Sequence, residues 1–138
     1  MINIEYKDSF GEEEGIFIDN EFNKYAEKNG VRCDYKPFVY VAKEDDKVVG
    51  LITGHSYYKE VHIGDLIVLE EYRHKHIGKS LMEKVIEVHK DKGFEYVYVT
   101  THEFQAPEFY KKCGFELDFK RESKLDPKLT KYFFVKYL

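Results

Sequence analysis

The chain has 138 residues, 43% hydrophobic and 35% charged, with 12 Tyr and 11 Phe against 9 Gly and 3 Pro. That is the size and composition of one folded domain over residues 1–138, and it excludes a disordered or collagen-like chain. The net charge of −4 argues against a nucleic-acid partner, because neutralising phosphates takes an excess of Lys and Arg. No apolar run approaches the ~18 residues that cross a bilayer. Glu5, Lys7 and Asp8 stand where a signal peptide would be apolar, so the expected location is cytoplasmic, with no membrane partner and with Cys33 and Cys113 reduced.

In chain order, Ile2 to Tyr6 alternates like a short strand, and Phe17 to Lys28 follows with apolar residues at helical spacing, closed by Asn29-Gly30. Phe38 to Ala42 and Val48 to Thr53 are β-rich and flank the turn Glu44-Asp45-Asp46-Lys47, which predicts a hairpin. Val61 to Leu69 is a third strand. The best helix starts at Ile77, where Ile77, Leu81, Met82, Val85, Ile86 and Val88 form an apolar stripe through Lys92, ended by Gly93. Tyr96 to Thr101 is an aromatic and β-branched strand. Pro107 suits the first turn of a short helix through Cys113, with Gly114 as its stop, and Phe115 to Phe119 and Tyr132 to Tyr137 are the last strands. The order β-α-β-β-β-α-β-α-β-β predicts an α/β (α+β) fold, a mixed sheet with helices on both faces and a central parallel pair joined through the helix after Gly78. The last strand, apolar on both faces, either completes this sheet or pairs across a homodimer.

Charge is unevenly spread. Asp8 to Asn29 holds seven acidic residues against two lysines, a sum of −5, and Arg73 to Lys92 holds six basic against three acidic, a sum of +3. The basic run sits at a strand-to-helix joint, Leu66-Ile67-Val68-Leu69-Glu70-Glu71-Tyr72-Arg73-His74-Lys75-His76-Ile77-Gly78-Lys79-Ser80. A helix start leaves its first amides unpaired and carries partial positive charge, so it binds phosphate, and Gly78 allows close approach. Gly78-Lys79-Ser80 mimics the end of a nucleotide-binding loop, but that loop needs glycine where Arg73 stands. Further on, Ala106, Phe109, Tyr110 and Cys113 share one helix side. They read as packing residues, although the Tyr110 hydroxyl could also donate a proton to a leaving thiolate.

Together these two segments resemble the GNAT (GCN5-related N-acetyltransferase) superfamily over roughly Val48 to Leu138, specifically its bacterial small-molecule acetyltransferases. The family's acetyl-CoA signature (Arg or Gln, two residues, Gly, one residue, Gly or Ala) falls on Arg73, His74, Lys75, His76, Ile77 and Gly78, with His76 replacing the first glycine. Its Ala-x-x-Phe/Leu-Tyr-x-x-x-Gly-Phe signature falls on Ala106, Phe109, Tyr110, Gly114 and Phe115. An Asn that many relatives carry seven residues before the Tyr is Glu103 here. The resemblance implies acetyl-CoA as cosubstrate, its pyrophosphate wrapped by Arg73 to Gly78 and the adjoining Lys79 and Ser80. It implies that the pantetheine arm pairs with Ile67 and Val68 as if it were a strand, and that Tyr110 protonates the departing thiolate. The His76 Cβ crowds one phosphate approach, unless the imidazole itself meets the phosphate.

The implied reaction is direct attack of an amine on the thioester, without a covalent enzyme intermediate or a metal. It needs a proton acceptor, for which Asp65, His62, His102 and Glu103 are candidates, and an oxyanion donor such as the Val68 N–H. Cys113 reads as a packing residue. The acceptor is expected to be a small, cationic amine, drawn by the −5 segment and polyamine-like or aminoglycoside-like. Two further readings within the fold are an acetyl-CoA sensor without turnover and a protein N-acetyltransferase. A metal site on His74 and His76 lacks a third ligand at a recognisable spacing.

Overall fold

The computed structural model describes every residue, Met1–Leu138, and divides into two compact units, Met1–Asp34 and Tyr35–Leu138. The first unit holds one helix, α1 (Glu12–Lys28). It begins five residues before the apolar periodicity does, because its start is set by capping. The Gly11 N–H donates to Glu14 Oε1 (2.8 Å), and Glu12, Glu13 and Glu14 occupy the positive end of the helix dipole. The Lys7 ammonium, 2.8 Å from Glu14 Oε1, and then the Gly11 N–H hold the Glu14 carboxyl below its ordinary range. The helix stops where expected, with Gly30 at φ +74° and the Val31 N–H returning to the Ala26 carbonyl (2.9 Å). Ile2 to Tyr6 forms no strand. Alternation of Ile2, Ile4 and Tyr6 fits a strand, but strand hydrogen bonds come from a neighbour that five residues cannot specify.

The second unit carries a six-stranded mixed sheet. Its strands are β1 (Lys36–Glu44), β2 (Lys47–Tyr57), β3 (Glu60–Val68), β4 (Tyr96–His102), β5 (Glu116–Arg121) and β6 (Lys131–Tyr137), in the spatial order β1-β2-β3-β4-β6-β5. The β1–β2 hairpin turns through Asp45-Asp46 as predicted, with Asp45 at φ +54°. β3 and β4 are the parallel pair, joined through α2 (Ile77–His89), and α3 (Pro107–Lys112) lies between β4 and β5. β6 is paired on both edges, with β4 and β5, so it completes its own sheet and offers no edge to a second copy.

The core gathers the α2 stripe, Leu81, Met82 and Val85, with alternate strand residues Ile52, Val61, Ile63, Val97, Val99 and Phe134 and with Tyr110 of α3 and Phe115. Within this unit α2 and α3 therefore cover the same sheet face. The intervening residues of each strand, His62 and Tyr98 among them, point to the other face. No helix is long and apolar enough to cross a membrane.

Candidate active site

The site begins as a gap in the sheet. β3 and β4 share register only at Glu60↔Tyr96, Val61↔Val97 and His62↔Tyr98. Beyond that, β3 continues to Val68 and β4 to His102 without pairing to each other. A bulge lies just past the last pair: Gly54 faces Ile63 and Ile52 faces Leu66, so Thr53 alone stands opposite Gly64 and Asp65. The extra residue bends β3 away from β4. Thr53 Oγ1 fixes the bend, accepting from the Asp65 N–H (2.9 Å) and donating to Asp65 Oδ2 (3.1 Å).

Backbone groups line this gap. The Leu69 N–H donates to the Val49 carbonyl (2.9 Å), and bonded pairs in an antiparallel ladder recur at every second residue. Ile67 therefore uses its N–H and C=O on Leu51 opposite, and its carbonyl lies 3.2 Å from where a Gly50 Cβ would sit. Leu66 and Val68 turn theirs into the gap. Of the two residues expected to meet an extended ligand arm, Val68 offers the gap a free N–H, its carbonyl being taken by Arg73, and Ile67 offers neither group. Leu66 supplies the second free edge, which sequence reading missed because the direction of a strand's N–H groups depends on its register.

At the open end Arg73 Nε donates to the Val68 carbonyl (3.0 Å), tying a cation to the rim. The turn before it is anchored by the Tyr72 hydroxyl, which donates to Glu44 Oε1 (3.0 Å), while Lys75 lies over the Tyr72 ring at 5.0 Å. His74 and His76 both adopt left-handed backbone, φ +66° and +63°. His76 is the N-cap of α2, and no side chain caps the helix. The Ser80 N–H is the first to close a helical turn, onto the His76 carbonyl, so the amides of Ile77, Gly78 and Lys79 have no acceptor within the chain. These amides and the basic side chains around them form an anion cradle. Gly78 serves packing as well: a Cβ there would lie 3.3 Å from the Phe109 ring of α3.

Tyr110 stands at the closed end of the gap, on the helix-covered face. Its ring packs against Phe109, Phe115 and Phe134 at 5.2, 5.8 and 6.1 Å, and Phe134 is the register partner of Val99, the first β4 residue past the last pair with β3. Burial, with a smaller contribution from Cys113, raises its phenol to about 12, so it is a hydrogen-bond donor throughout the neutral range.

The sequence profile of the Acetyltransferase (GNAT) family matches residues 2–115. The chain belongs to the GNAT acetyltransferase family. Among solved structures, an acetyltransferase from Bacillus cereus is 29% identical, with a TM-score of 0.77 and coverage of 97% of this chain and 98% of that one. A candidate acetyltransferase from Agrobacterium tumefaciens is 21% identical, with a TM-score of 0.81 and coverage of 99% and 100%. An aminoglycoside 6'-N-acetyltransferase complexed with coenzyme A is 15% identical, with a TM-score of 0.65 and coverage of 93% and 81%. A comparison with curated protein sequences gives no match.

Within this GNAT chain His76 stands where the family signature has glycine, and its left-handed φ supplies the reason a glycine suits that position. Releasing a side chain from that conformation gains about 1 kcal/mol, and the extra chain entropy of glycine takes back a similar amount. We expect His76→Gly to leave stability within about 1 kcal/mol while tightening the acetyl-CoA Kd several-fold. Weaker binding by calorimetry would assign the imidazole to the phosphate instead.

The remaining residues singled out in the sequence are dispersed. His102 is held by Gln105, whose Oε1 lies 3.0 Å from its Nδ1 and 2.9 Å from its backbone nitrogen. Glu103 accepts the Tyr132 hydroxyl, which pushes that phenol up, and it lines a separate open cleft with Lys120 and Thr130. Burial raises the Cys113 thiol. His74 and His76 belong to no group of three or more His, Cys, Asp or Glu that could hold a metal.

Proposed function

We propose that residues 1–138 act as one acetyl-CoA-dependent N-acetyltransferase, transferring the acetyl group by direct attack to the primary amine of a small cationic acceptor. The observation that carries this reading is the alignment of three features: the β3–β4 gap with the Leu66 and Val68 edges, the uncapped α2 amides at its open end, and Tyr110 at its closed end. From Ile63 to Val68 the open edge of β3 spans about 17 Å at ~3.3 Å per residue. An extended pantetheine arm fits that length, with its pyrophosphate on Ile77, Gly78 and Lys79 and its phosphates met by Arg73, His74, Lys75, His76, Lys79 and Ser80. The Val68 N–H, beside Arg73 at the open end, meets the arm next to its pyrophosphate, and the Leu66 N–H, deeper in the gap, is the donor nearer the thioester oxygen as charge develops. Tyr110 stabilises the departing sulfur. Full transfer from a phenol near 12 to a thiolate of ordinary basicity, ~8.5, is uphill. The apolar surroundings that raise the phenol also raise the thiolate, so donation strengthens as the C–S bond breaks.

Two observations support a cationic acceptor: the −5 segment from Asp8 to Asn29 and the acceptor class named for the aminoglycoside-acetylating relative. A ribosomal-protein-S18-alanine N-acetyltransferase from Escherichia coli shares the fold, so a protein amine is the second acceptor class to test. The deciding experiment is a screen of polyamines, aminoglycosides and peptides with acetyl-CoA, reading released thiol. We expect turnover with the first two classes. We also expect acetyl-CoA at 100 times its Kd to stabilise the fold by about 2.7 kcal/mol, seen as a rise in Tm of several degrees. A Tm rise without turnover of any amine would favour the sensor reading, and no rise would remove the cleft assignment.

A further inference from the structure

The sheet face turned away from α2 and α3 carries a cluster of aromatic and titratable side chains that the cosubstrate reading does not use. It centres on His62, the last β3 residue paired with β4. The imidazole stacks on Tyr98 of β4 (centroids 4.5 Å apart, planes 19°) and meets His55 of β2 edge-on at 5.1 Å. His55 in turn touches Tyr57 at 5.0 Å and Tyr35 at 5.1 Å, and Glu60 accepts the Tyr96 hydroxyl. The rings fix the orientation of His62, and its neighbours Val61 and Ile63, buried in the core, prevent the strand from rotating it away.

We propose that His62 is the proton acceptor for the amine that attacks the thioester, with Tyr98 and His55 as its positioning residues. The proposal rests on the acetyltransfer reading and adds the group that receives the proton. Its geometric basis is the pair of faces. Tyr110 closes the end of the gap from the helix side and His62 closes the same end from the opposite side. The amine adds from above the plane of the thioester carbonyl while the sulfur lies in that plane, so base and donor must approach from different directions, as a base on one sheet face and a donor on the other do for a thioester lying in the gap between them. Asp65, two residues beyond the bulge's start, already uses its carboxylate and N–H on Thr53 and reads as the clamp that holds the gap open.

The protons balance. The acceptor arrives as an ammonium ion and gives one proton to the neutral imidazole, which passes it to solvent. The nitrogen lone pair forms the C–N bond and the C–S pair moves to sulfur. Sulfur takes the Tyr110 proton, and the proton shed by the amide nitrogen restores the phenol. One proton is released per turnover, with amide and thiol as products.

The surroundings keep His62 in the accepting form. Burial first, then the charge of His55, push its imidazole below the ordinary value; Lys131 of β6 acts in the same direction and Glu60 against it. The other groups facing it, Tyr57 and Tyr98, are phenols raised by burial above their ordinary value, Tyr57 to about 12, and stay neutral.

The test is the pH profile of acceptor kcat/KM with acetyl-CoA and spermidine or kanamycin, for the wild type, His62→Gln and His55→Phe. The wild type is expected to lose activity on the acid side with an apparent pKa below ~6.5. His62→Gln should lower kcat at pH 7 by about 100-fold or more and abolish that limb, while the acetyl-CoA-induced Tm rise persists. His55→Phe should move the limb upward, since it removes a neighbour that pushes His62 down, a change that a purely structural role would not produce. If His62→Gln folds, binds acetyl-CoA and keeps both kcat and limb, the assignment is overturned while the acetyltransferase reading stands. If the wild type turns over no amine, the reading and the assignment fall together.

Discussion

Tyr110→Phe is expected to lower kcat by about 100-fold, leave the acetyl-CoA affinity unchanged and leave Tm unchanged. The three parts have separate causes. The rate falls because one donor to the departing sulfur is lost, and removal of such a group is worth ~10²-fold or more. On the proposed reading the arm and pyrophosphate meet Leu66, Val68 and the α2 amides rather than the phenol, so affinity holds. Stability holds because the ring's contacts with Phe109, Phe115 and Phe134 are all carbon contacts that phenylalanine keeps. The Tyr110 residue is 6% exposed, and no fully buried side-chain nitrogen or oxygen in the chain lacks a partner, so its hydroxyl reaches solvent and its removal costs the fold little. A fall in Tm together with an unchanged single-turnover rate would return Tyr110 to a packing role.

Gly54→Ala is expected to be the most damaging single substitution for the fold. On propensity alone alanine in a strand should gain up to about 1 kcal/mol over glycine. Here the new Cβ would lie 2.3 Å from the His62 carbonyl oxygen and 2.5 Å from the Phe38 ring. The ring can move, but the carbonyl belongs to β3, so the hairpin must separate. Overpacking of this kind costs ~3 kcal/mol. For a domain of this size that is a fall in Tm of about 10 °C. Because Gly54 adjoins the bulge, the acetyl-CoA affinity of the surviving folded protein should drop too. Gly50→Ala, whose nearest contacts are at 3.2 Å, is the milder comparison. A Tm loss at Gly54 no larger than at Gly50 would show that β2 and β3 accommodate the Cβ.

Periodicity and stop signals made most elements legible in the sequence. The α2 stripe, the Asp45-Asp46 turn, Pro107 at the start of α3 and Gly114 as its stop stand where expected, whereas α2 ends at His89, with Lys90 as an extended cap, before it reaches Lys92 and Gly93. Two failures share a cause, since each depends on a partner outside the segment. Ile2 to Tyr6 alternates without a ladder, and the start of α1 is decided by Gly11, Glu14 and Lys7 rather than by apolar spacing. At the site, the signatures pointed to Arg73 to Ser80 and Tyr110. They could not say which of Leu66, Ile67 and Val68 faces the gap, because that follows from the Val49–Leu69 pairing. Nor could they separate His62 from Asp65, His102 and Glu103. The separation comes from alternation relative to a core, from the bulge that occupies Asp65 and from the side-chain bonds that hold His102 and Glu103.

The short pairing of β3 with β4 has a mechanical consequence. With three residue pairs between them, the sheet is two antiparallel triplets, β1-β2-β3 and β4-β6-β5, joined at a seam. Each triplet is laced internally, interrupted at its bulges, and α2 packs on β1, β2 and β3, to one side of the seam. Between the triplets the join rests on those pairs and on the side-chain core they share, so the seam is where local opening is expected first. A ligand lying along the seam supplies the missing rung between the blocks, so its binding energy is also cohesion for the whole sheet, delivered where the protein's own backbone supplies least.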